Sequence, residues 1–228
     1  MSIFRTVELP CPACETPVEF ELVHSVSADR RPDLRDAILD GTFQRQACPA
    51  CKTTFRVDPE FTYMDIGRGQ YIGVWPVSRR GEWRRCADKT REVFEQTLGD
   101  GATAEAQSLG RKLAPRAVFG WPALGEKILA RQAGIDDRTL EVAKMAVLRT
   151  RDDVPLPGEQ EFRLVGELEG DPVLAWVRAD SERRQDAVRM PRALIGEIEA
   201  EREHWSQAFD DVAEGLVVDF QREMLAVT

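Results

Sequence analysis

The sequence is poor in histidine and lacks the short motifs that mark common catalytic sites. Only two histidines, His24 and His204, occur among the 228 residues. The His-Glu-x-x-His motif, the Gly-x-Ser-x-Gly nucleophile turn, the phosphate-binding loop and the dinucleotide-binding glycine motif are all missing from the sequence. We therefore expect structural roles for both histidines, and the sequence favours a non-catalytic protein.

Long apolar runs are absent as well. No stretch approaches the ~20 consecutive apolar residues that a membrane helix needs, so we predict no membrane span. Residues 1–10 include Arg5 and Glu8 and lack the apolar run, roughly 7 to 15 residues long, that a secretory signal contains. We predict a cytoplasmic protein with one large domain or two small ones.

An excess of positive charge is lacking too, because the net charge is -9. This balance argues against binding of a phosphate backbone by the whole surface. The charge is unevenly distributed, however: residues 79–151 carry 15 basic and 10 acidic side chains, whereas residues 152–228 carry 8 and 19. This pattern predicts that the positive middle docks on the negative ends; the alternative is that one segment recruits a partner of opposite charge.

Four of the five cysteines form two identical motifs, Cys11-Pro12-Ala13-Cys14 and Cys48-Pro49-Ala50-Cys51. A gap of two residues lets a tight turn direct both sulfurs to one point, and two such turns supply four thiolates for a tetrahedral zinc ion. Four thiolates fill the coordination sphere and leave no position for a reactive water. The spacing therefore predicts a structural zinc site made by Cys11, Cys14, Cys48 and Cys51.

Two other roles for these cysteines stay open. Cys-Pro-x-Cys also occurs in dithiol oxidoreductases, where it begins a helix, and four cysteines can hold an iron–sulfur cluster. The repetition of the motif and the strands that we predict after Cys14 and Cys51 favour zinc. Disulfides are not expected, since the cytosol keeps thiols reduced. The fifth cysteine, Cys86, is expected to be a small buried apolar residue.

Hydrophobic periodicity predicts an α+β protein. Residues 1–78 form a small β-rich unit resembling a zinc ribbon, with one inserted helix, and residues 79–151 are helical. Together they make a predicted zinc-binding domain of residues 1–151, followed by an acidic α+β segment of residues 152–228 that begins with a linker at 152–158. The predicted strands are Val18 to Val26, Thr53 to Val57, Phe61 to Ile66, Gln70 to Trp75, Phe162 to Leu168 and Val173 to Val177.

The predicted helices follow from apolar spacing and from end signals. The spacing predicts helices at Asp33 to Leu39 and at Trp83 to Leu98. A third helix is predicted from Pro122 to the stop at Gly134. A fourth follows, with Asp136 or Asp137 as its cap, and runs to about Arg149. A long helix is predicted after Pro191, because Leu194, Ile198, Trp205, Phe209, Val212 and Leu216 lie close to a period of 3.6; the pattern leaves open whether residues 216–220 continue it or form a strand.

A basic cluster with a central tryptophan opens the helical segment. It consists of Arg79, Arg80, Trp83, Arg84 and Arg85. Guanidinium groups could bind phosphates while the indole stacks on a base. In the alternative interpretation these arginines meet the acidic last third of the chain and Trp83 lies in the core.

The two cysteine motifs and several flanking stretches resemble those of the CpXC domain family. The resemblance spans approximately residues 9–148 and implies a metal-binding, cytoplasmic bacterial protein without implying a particular activity. The sequence departs from the common pattern at Glu15 and Lys52, where glycine often follows the second cysteine. The flanking stretches that carry the resemblance are Asp33 to Gly41, Val74-Trp75-Pro76, Phe119-Gly120-Trp121, Leu124 to Ile128 and Asp136-Asp137.

Taken together, these features predict a zinc-stabilised protein-interaction or regulatory module. Its acidic residues 152–228 would neutralise a basic protein partner whose identity the sequence does not indicate. The alternatives are a nucleic-acid-binding zinc-ribbon protein that uses the basic cluster, and a dithiol oxidoreductase.

Overall fold

The computed structural model describes residues 1–151, 160–178 and 182–225. Strands and helices are mixed along these ranges, which confirms the predicted α+β class. Across the described ranges, every helix is too short or too polar to cross a membrane. The linker predicted at 152–158 lies outside the described residues.

A five-stranded sheet forms the framework of the first half of the chain, in the order β1-β2-β5-β6-β7. β1 is antiparallel to β2 and β5 to β6, whereas β2 with β5 and β6 with β7 are parallel. The β5–β6 hairpin and β2 confirm three predicted strands, while β1 and β7 were not predicted. The strands are β1 (Ile3–Pro10), β2 (Pro17–Ser27), β5 (Phe61–Asp65), β6 (Gln70–Trp75) and β7 (Ala114–Phe119).

A short helix and a two-stranded hairpin lie between β2 and β5. The helix is α1 (Pro32–Leu39), and Leu34 and Ile38, four residues apart, are buried as the spacing predicts. The hairpin consists of β3 (Arg45–Ala47) and β4 (Thr54–Arg56), and the second cysteine motif forms its turn. The first cysteine motif forms the turn between β1 and β2.

The middle of the chain is mostly helical, as predicted, but it also contains the strand β7. A 3-10 helix at Val77–Glu82 leads into α2 (Trp83–Thr97), and the first-sheet strand β7 follows α3 (Ala104–Gly110). Then come α4 (Gly120–Gln132) and α5 (Asp137–Arg149). The Asp136 carboxylate accepts the N–H groups of Arg138 and Thr139, each at 3.1 Å, so Asp136 is the cap of α5.

A second sheet of three strands follows, in the order β10-β9-β8. Its strands are β8 (Gln160–Leu168), β9 (Asp171–Arg178) and β10 (Arg184–Arg189), of which β10 was not predicted. β8 and β9 are antiparallel and confirm the predicted hairpin. Phe162 and Leu174 of this sheet pack with Leu140 of α5.

The single long helix predicted after Pro191 is wrong. The chain forms α6 (Arg192–Ala200), turns through residues 201–205, and forms α7 (Ser206–Asp211). Like charges disfavour a continuous helix here. On such a helix Glu197 would lie next to Glu201 and Glu199 next to Glu203, each pair at i,i+4, and the carboxylates would repel each other. A small hairpin, β11 (Ala213–Glu214) and β12 (Val217–Val218), then precedes α8 (Arg222–Leu225).

α4 connects the hydrophobic cores of the two halves. Trp121 and Leu124 pack against the five-stranded sheet, whereas Ala130 packs with α5 and the second sheet. The end of the chain also returns to the first sheet, since the Ala117 N–H donates to the Leu216 carbonyl at 3.0 Å. Contacts thus cross residue 151, where the sequence predicts a boundary between two domains. That boundary stays a prediction.

Candidate metal centre

The two cysteine motifs fold into turns with the same hydrogen bonds. In the first turn the Cys11 N–H donates to the Thr16 carbonyl and the Glu15 N–H to the Cys11 carbonyl, both at 2.9 Å. In the second turn Cys48 donates to Thr53 at 2.9 Å, and Lys52 donates to Cys48 at 3.0 Å. Each hairpin therefore presents a pair of sulfurs in the same way.

The four sulfurs meet at one point. Cys11 Sγ lies 3.7 Å from Cys51 Sγ, and Cys14 Sγ lies 3.7 Å from Cys48 Sγ. All four sulfurs lie within 4.8 Å of one another. Zinc–sulfur bonds of about 2.3 Å in a tetrahedron place the sulfurs about 3.8 Å apart, so the spacing fits a single ion. The cysteines are not joined as disulfides.

Burial divides the four sulfurs into two kinds. Cys11 is 1% exposed and Cys48 is fully buried, and both pack with Val18 and Phe55. Cys14 and Cys51 are exposed. Each turn thus contributes its first cysteine to a small apolar cluster and its second cysteine to the protein surface.

The turns carry backbone strain at the two positions where the sequence departs from glycine. Glu15 has φ 59 and Lys52 has φ 64, both in the left-handed region. A residue with a side chain pays about 1 kcal/mol there relative to glycine. The chain nevertheless keeps the left-handed turn, which directs the N–H groups of Glu15 and Lys52 to the carbonyls of Cys11 and Cys48.

Neighbouring groups shift the pKa values of Cys11 and Cys51 in opposite directions. The Ala13 N–H lowers the pKa of Cys11, but burial and the adjoining thiols of Cys14 and Cys51 outweigh it and raise that pKa to about 11. Hydrogen bonds from the Thr53 hydroxyl and N–H lower the pKa of Cys51 to about 6. A divalent cation can replace the protons and allow all four thiols to ionise, so this donor set is suited to metal binding.

The basic cluster predicted as a partner site does not form one surface. Trp83 is 3% exposed and packs with Trp75 and Phe119, so its indole is not available for stacking on a base. Arg80 is buried, and its ion pair with Glu161 of β8 crosses between the two halves. The predicted core position of Trp83, and that of Cys86 in the same cluster, agree with the structure.

The remaining three arginines of the cluster are at least partly exposed. Arg84 pairs with Glu214 at 2.9 Å and with Glu223 at 2.8 Å. Arg79 and Arg85 each reach Glu82 at 3.2 Å. Arginines of the positive middle thus meet carboxylates of the acidic last third. Nucleic-acid binding by the exposed three stays a prediction.

A second cluster of charged side chains was not found from the sequence. Ten residues form one connected chain of ion pairs at the junction of α4, α5 and the second sheet, here called the buried ion network. It holds five cations and five carboxylates, namely Arg80, Arg116, Lys127, Lys144 and Arg163 with Glu126, Asp137, Glu141, Glu161 and Asp219.

Glu126 and Lys144 are at the centre of this network, and both are fully buried. Lys144 Nζ lies 2.9 Å from a carboxylate oxygen of Glu126 and 2.9 Å from one of Glu141. Glu126 also accepts from Arg163 Nη1 at 3.0 Å and from the Leu164 N–H at 2.8 Å. In the sequence, this network was indicated only by charged residues such as Glu126-Lys127, at helix positions that the structure shows to be buried.

The ionisation of the two central glutamates differs. Desolvation opposes the charge of Glu126, but Lys144 and Arg163 outweigh it and lower the pKa of Glu126 to about 2. Desolvation raises the pKa of Glu141 to about 7, because Lys144 compensates it only in part and Glu126 repels it. Glu126 therefore stays ionised, whereas Glu141 is a member of the network that can titrate.

Comparison with known proteins identifies the family. A family model described as CpXC protein matches residues 9–144, which is more than half of the chain and includes all four clustered cysteines. A search of curated proteins and a search of solved structures each returned no match. The resemblance predicted from the cysteine motifs is therefore confirmed: the chain belongs to the CpXC protein family.

Proposed function

We propose that the four cysteines bind one structural zinc ion and that the protein is a non-catalytic, cytoplasmic protein-interaction module. The observation that carries the zinc assignment is the position of the sulfurs, all within 4.8 Å of one another and without disulfides. Thiolate ligands favour zinc over magnesium or calcium, and a site of four thiolates leaves no position for a reacting water.

The ion would join two hairpins that also meet through a hydrogen bond from Gln46 Nε2 to the Glu19 carbonyl at 3.1 Å and through the rings of Phe20 and Phe55. Cys11 and Cys14 belong to the β1–β2 hairpin, and Cys48 and Cys51 belong to β3–β4. The apolar cluster at the site is small: Cys11, Cys48 and Val18 are buried, and Phe55 packs against them. A cluster of this size buries too little apolar surface to hold β3–β4 in place, so zinc supplies the missing stability.

For the interaction surface we favour the exposed glutamates at the end of α6 and in the turn after it. Glu197, Glu199, Glu201 and Glu203 are all exposed there. Other carboxylates of the acidic segment are already paired: Glu161 and Asp219 belong to the buried ion network, and Glu214 pairs with Arg84. Exposed carboxylates at this density attract a basic protein surface and accelerate its encounter.

The metal assignment is tested by elemental analysis of the full chain purified from its native host. We expect one zinc per chain, and we expect the zinc to be lost on Cys48→Ser but retained on Cys86→Ser. A chain that carries no zinc, or one that turns over a disulfide substrate through Cys11 and Cys14, would refute a structural zinc site.

The interaction surface needs a test that leaves the core intact, since deletion of residues 152–228 would remove Glu161, Arg163 and Asp219, three of the ten residues of the buried ion network. We would compare proteins that co-purify from the native host with the wild type and with the triple variant Glu199→Lys, Glu201→Lys, Glu203→Lys. The control is Glu8→Lys, Glu19→Lys, Glu92→Lys, which changes exposed acids elsewhere by the same charge. Loss of a basic partner from the first variant alone supports the surface; equal loss from both variants rejects it.

A further inference from the structure

A cleft of about 270 Å³ opens between α1, α4 and the second sheet, away from the metal centre. Its walls are the turn after α1, one side of α4 from Trp121 to Leu129, and Val165 and Val177 of the second sheet. Sites for drug-sized molecules have volumes from roughly 300 Å³ upward, and this cleft lies just below that size, so it would hold only a smaller ligand.

A glycine of α4 lines the cleft. Gly125 lies in the interior of α4, where glycine costs roughly 1 kcal/mol relative to alanine. A Cβ added at Gly125 would meet no heavy atom within 4 Å, so close packing does not require this glycine. The missing side chain leaves open the space of the cleft, and the helix backbone is accessible to a ligand there.

Two arginines at the cleft have unused hydrogen-bonding capacity. Arg45 donates its Nε to the Gly41 carbonyl at 2.8 Å and has only a long ion pair, 3.6 Å, with Glu182. Glu182 is held more tightly by Arg56, which forms a shorter pair with it. Arg184 lines the same cleft and is exposed, and no ion pair is seen for it within the described ranges.

The charged residues at the floor of the cleft are already satisfied. Both carboxylate oxygens of Glu126 accept hydrogen bonds from Lys144, and they also accept from Arg163 and the Leu164 N–H. The guanidinium of Arg163 in turn donates to Glu126, Glu161 and Asp219. The other carboxylates of the lining also have partners, since Asp40 accepts from Thr42 and Glu182 pairs with Arg56. An anionic ligand therefore finds its polar partners at Arg45 and Arg184, and it finds half-buried apolar walls at Leu129 and Val165.

We propose that this cleft binds a small organic anion. Its carboxylate or phosphate bonds the guanidinium groups of Arg45 and Arg184, and its apolar part lies against Gly125, Leu129 and Val165. Arginine suits such anions because its planar group donates two parallel hydrogen bonds. This site is separate from the metal centre and from the acidic surface of α6.

The test is an amide chemical-shift titration of the zinc-loaded full chain with four probes: phenyl phosphate, benzoate, inorganic phosphate and phenol. We expect saturable shifts at Gly125 and Gly41, with phenyl phosphate or benzoate binding about tenfold tighter than inorganic phosphate or phenol, because both parts of the ligand contribute. The comparison of phenyl phosphate with benzoate identifies the anionic group. Shifts that map elsewhere, or phenol binding as tightly as both anions, would overturn the proposal.

Matched control variants test whether binding depends on the cleft itself or only on the net charge and on helix stability. Arg184→Gln should weaken binding by about fivefold or more, while Arg183→Gln, an exposed neighbour outside the cleft, should leave it unchanged. Gly125→Leu should abolish binding by filling the cleft, whereas Gly196→Leu in α6, another helix glycine with open space before it, should not. Equal effects within either pair would overturn the proposal.

Discussion

The metal centre and the buried ion network are both clusters of ionisable side chains, but they differ in what completes them. In the metal centre four sulfurs face one another, two of them are exposed, and the cation must come from solution. In the network Lys144, Arg163 and their neighbours supply the cations for Glu126 and Glu141. The network is complete once the chain has folded, whereas the metal centre is not.

The difference predicts two modes of stabilisation in one chain. Under the proposed function, the β1–β2 and β3–β4 hairpins would depend on the ion, because their shared apolar cluster is small. The junction of α4, α5 and the second sheet depends on the fold itself, because it places charged groups where water cannot solvate them. Removing the metal and removing a network residue should therefore damage different regions.

The largest effect is expected from loss of the metal. Structural zinc sites contribute about 10–16 kcal/mol of binding free energy, so Cys48→Ser should release the ion and unfold β3–β4. Amide hydrogen exchange should rise in β3–β4 and stay slow in β8 and β9. Cys86→Ser, a change at a buried cysteine outside the site, should keep the zinc and the protection. A protected β3–β4 hairpin in zinc-free protein would contradict the comparison.

A smaller loss is expected from the centre of the network. Lys144→Met leaves the carboxylates of Glu126 and Glu141 buried without their shared cation and should lower the free energy of unfolding by about 3–5 kcal/mol in urea titration, with zinc content unchanged. Arg84→Gln, which breaks exposed pairs with Glu214 and Glu223, should cost less than about 1 kcal/mol. Equal losses would mean that burial does not distinguish these ion pairs.

The network should also respond to pH through Glu141. Its pKa is raised from 4.5 to about 7, so the folded chain holds a proton that the unfolded chain releases, and stability falls as pH rises from about 4.5 to 7. Glu141→Gln lacks this titration. In zinc-saturated protein the variant should therefore gain on the order of 3 kcal/mol relative to wild type between pH 5 and pH 8. Parallel curves would show that Glu141 titrates with an ordinary pKa.

The smallest expected effect concerns strain at the metal centre. Lys52→Gly relieves a left-handed φ of 64 and should raise the unfolding free energy of the zinc-bound protein by about 1 kcal/mol. The same replacement at Lys89, an exposed position in α2, should lower it by about 1 kcal/mol, since glycine weakens a helix interior. A loss at both positions would show that the Lys52 turn stores no strain.

Features that rest on local chemistry were predictable from the sequence. The cysteine turns, the buried pair Leu34 and Ile38 on α1, and the Asp136 cap of α5 each need only neighbours within a few residues. The zinc assignment itself stays a prediction, although the convergence of the sulfurs fits it.

Features that rest on distant partners were not predictable from one sequence. Arg80 and Glu161 are 81 residues apart, and Glu126 and Arg163 are 37 apart, so no window of sequence contains either pair. β7 was not predicted, because residues 79–151 were all expected to be helical; its Pro115 is tolerated since β7 lies at the edge of the sheet. The prediction of one long helix after Pro191 was wrong because it considered only the period of the apolar residues and not the repulsion among the glutamates from Glu197 to Glu203.

X-ray absorption at the zinc edge tests the central claim most directly. For the full chain as purified, one metal ion surrounded by four sulfurs at about 2.3 Å is the predicted result. A first coordination shell with nitrogen or oxygen ligands, with fewer than four sulfurs, or with no zinc bound to the chain would contradict a closed four-cysteine site.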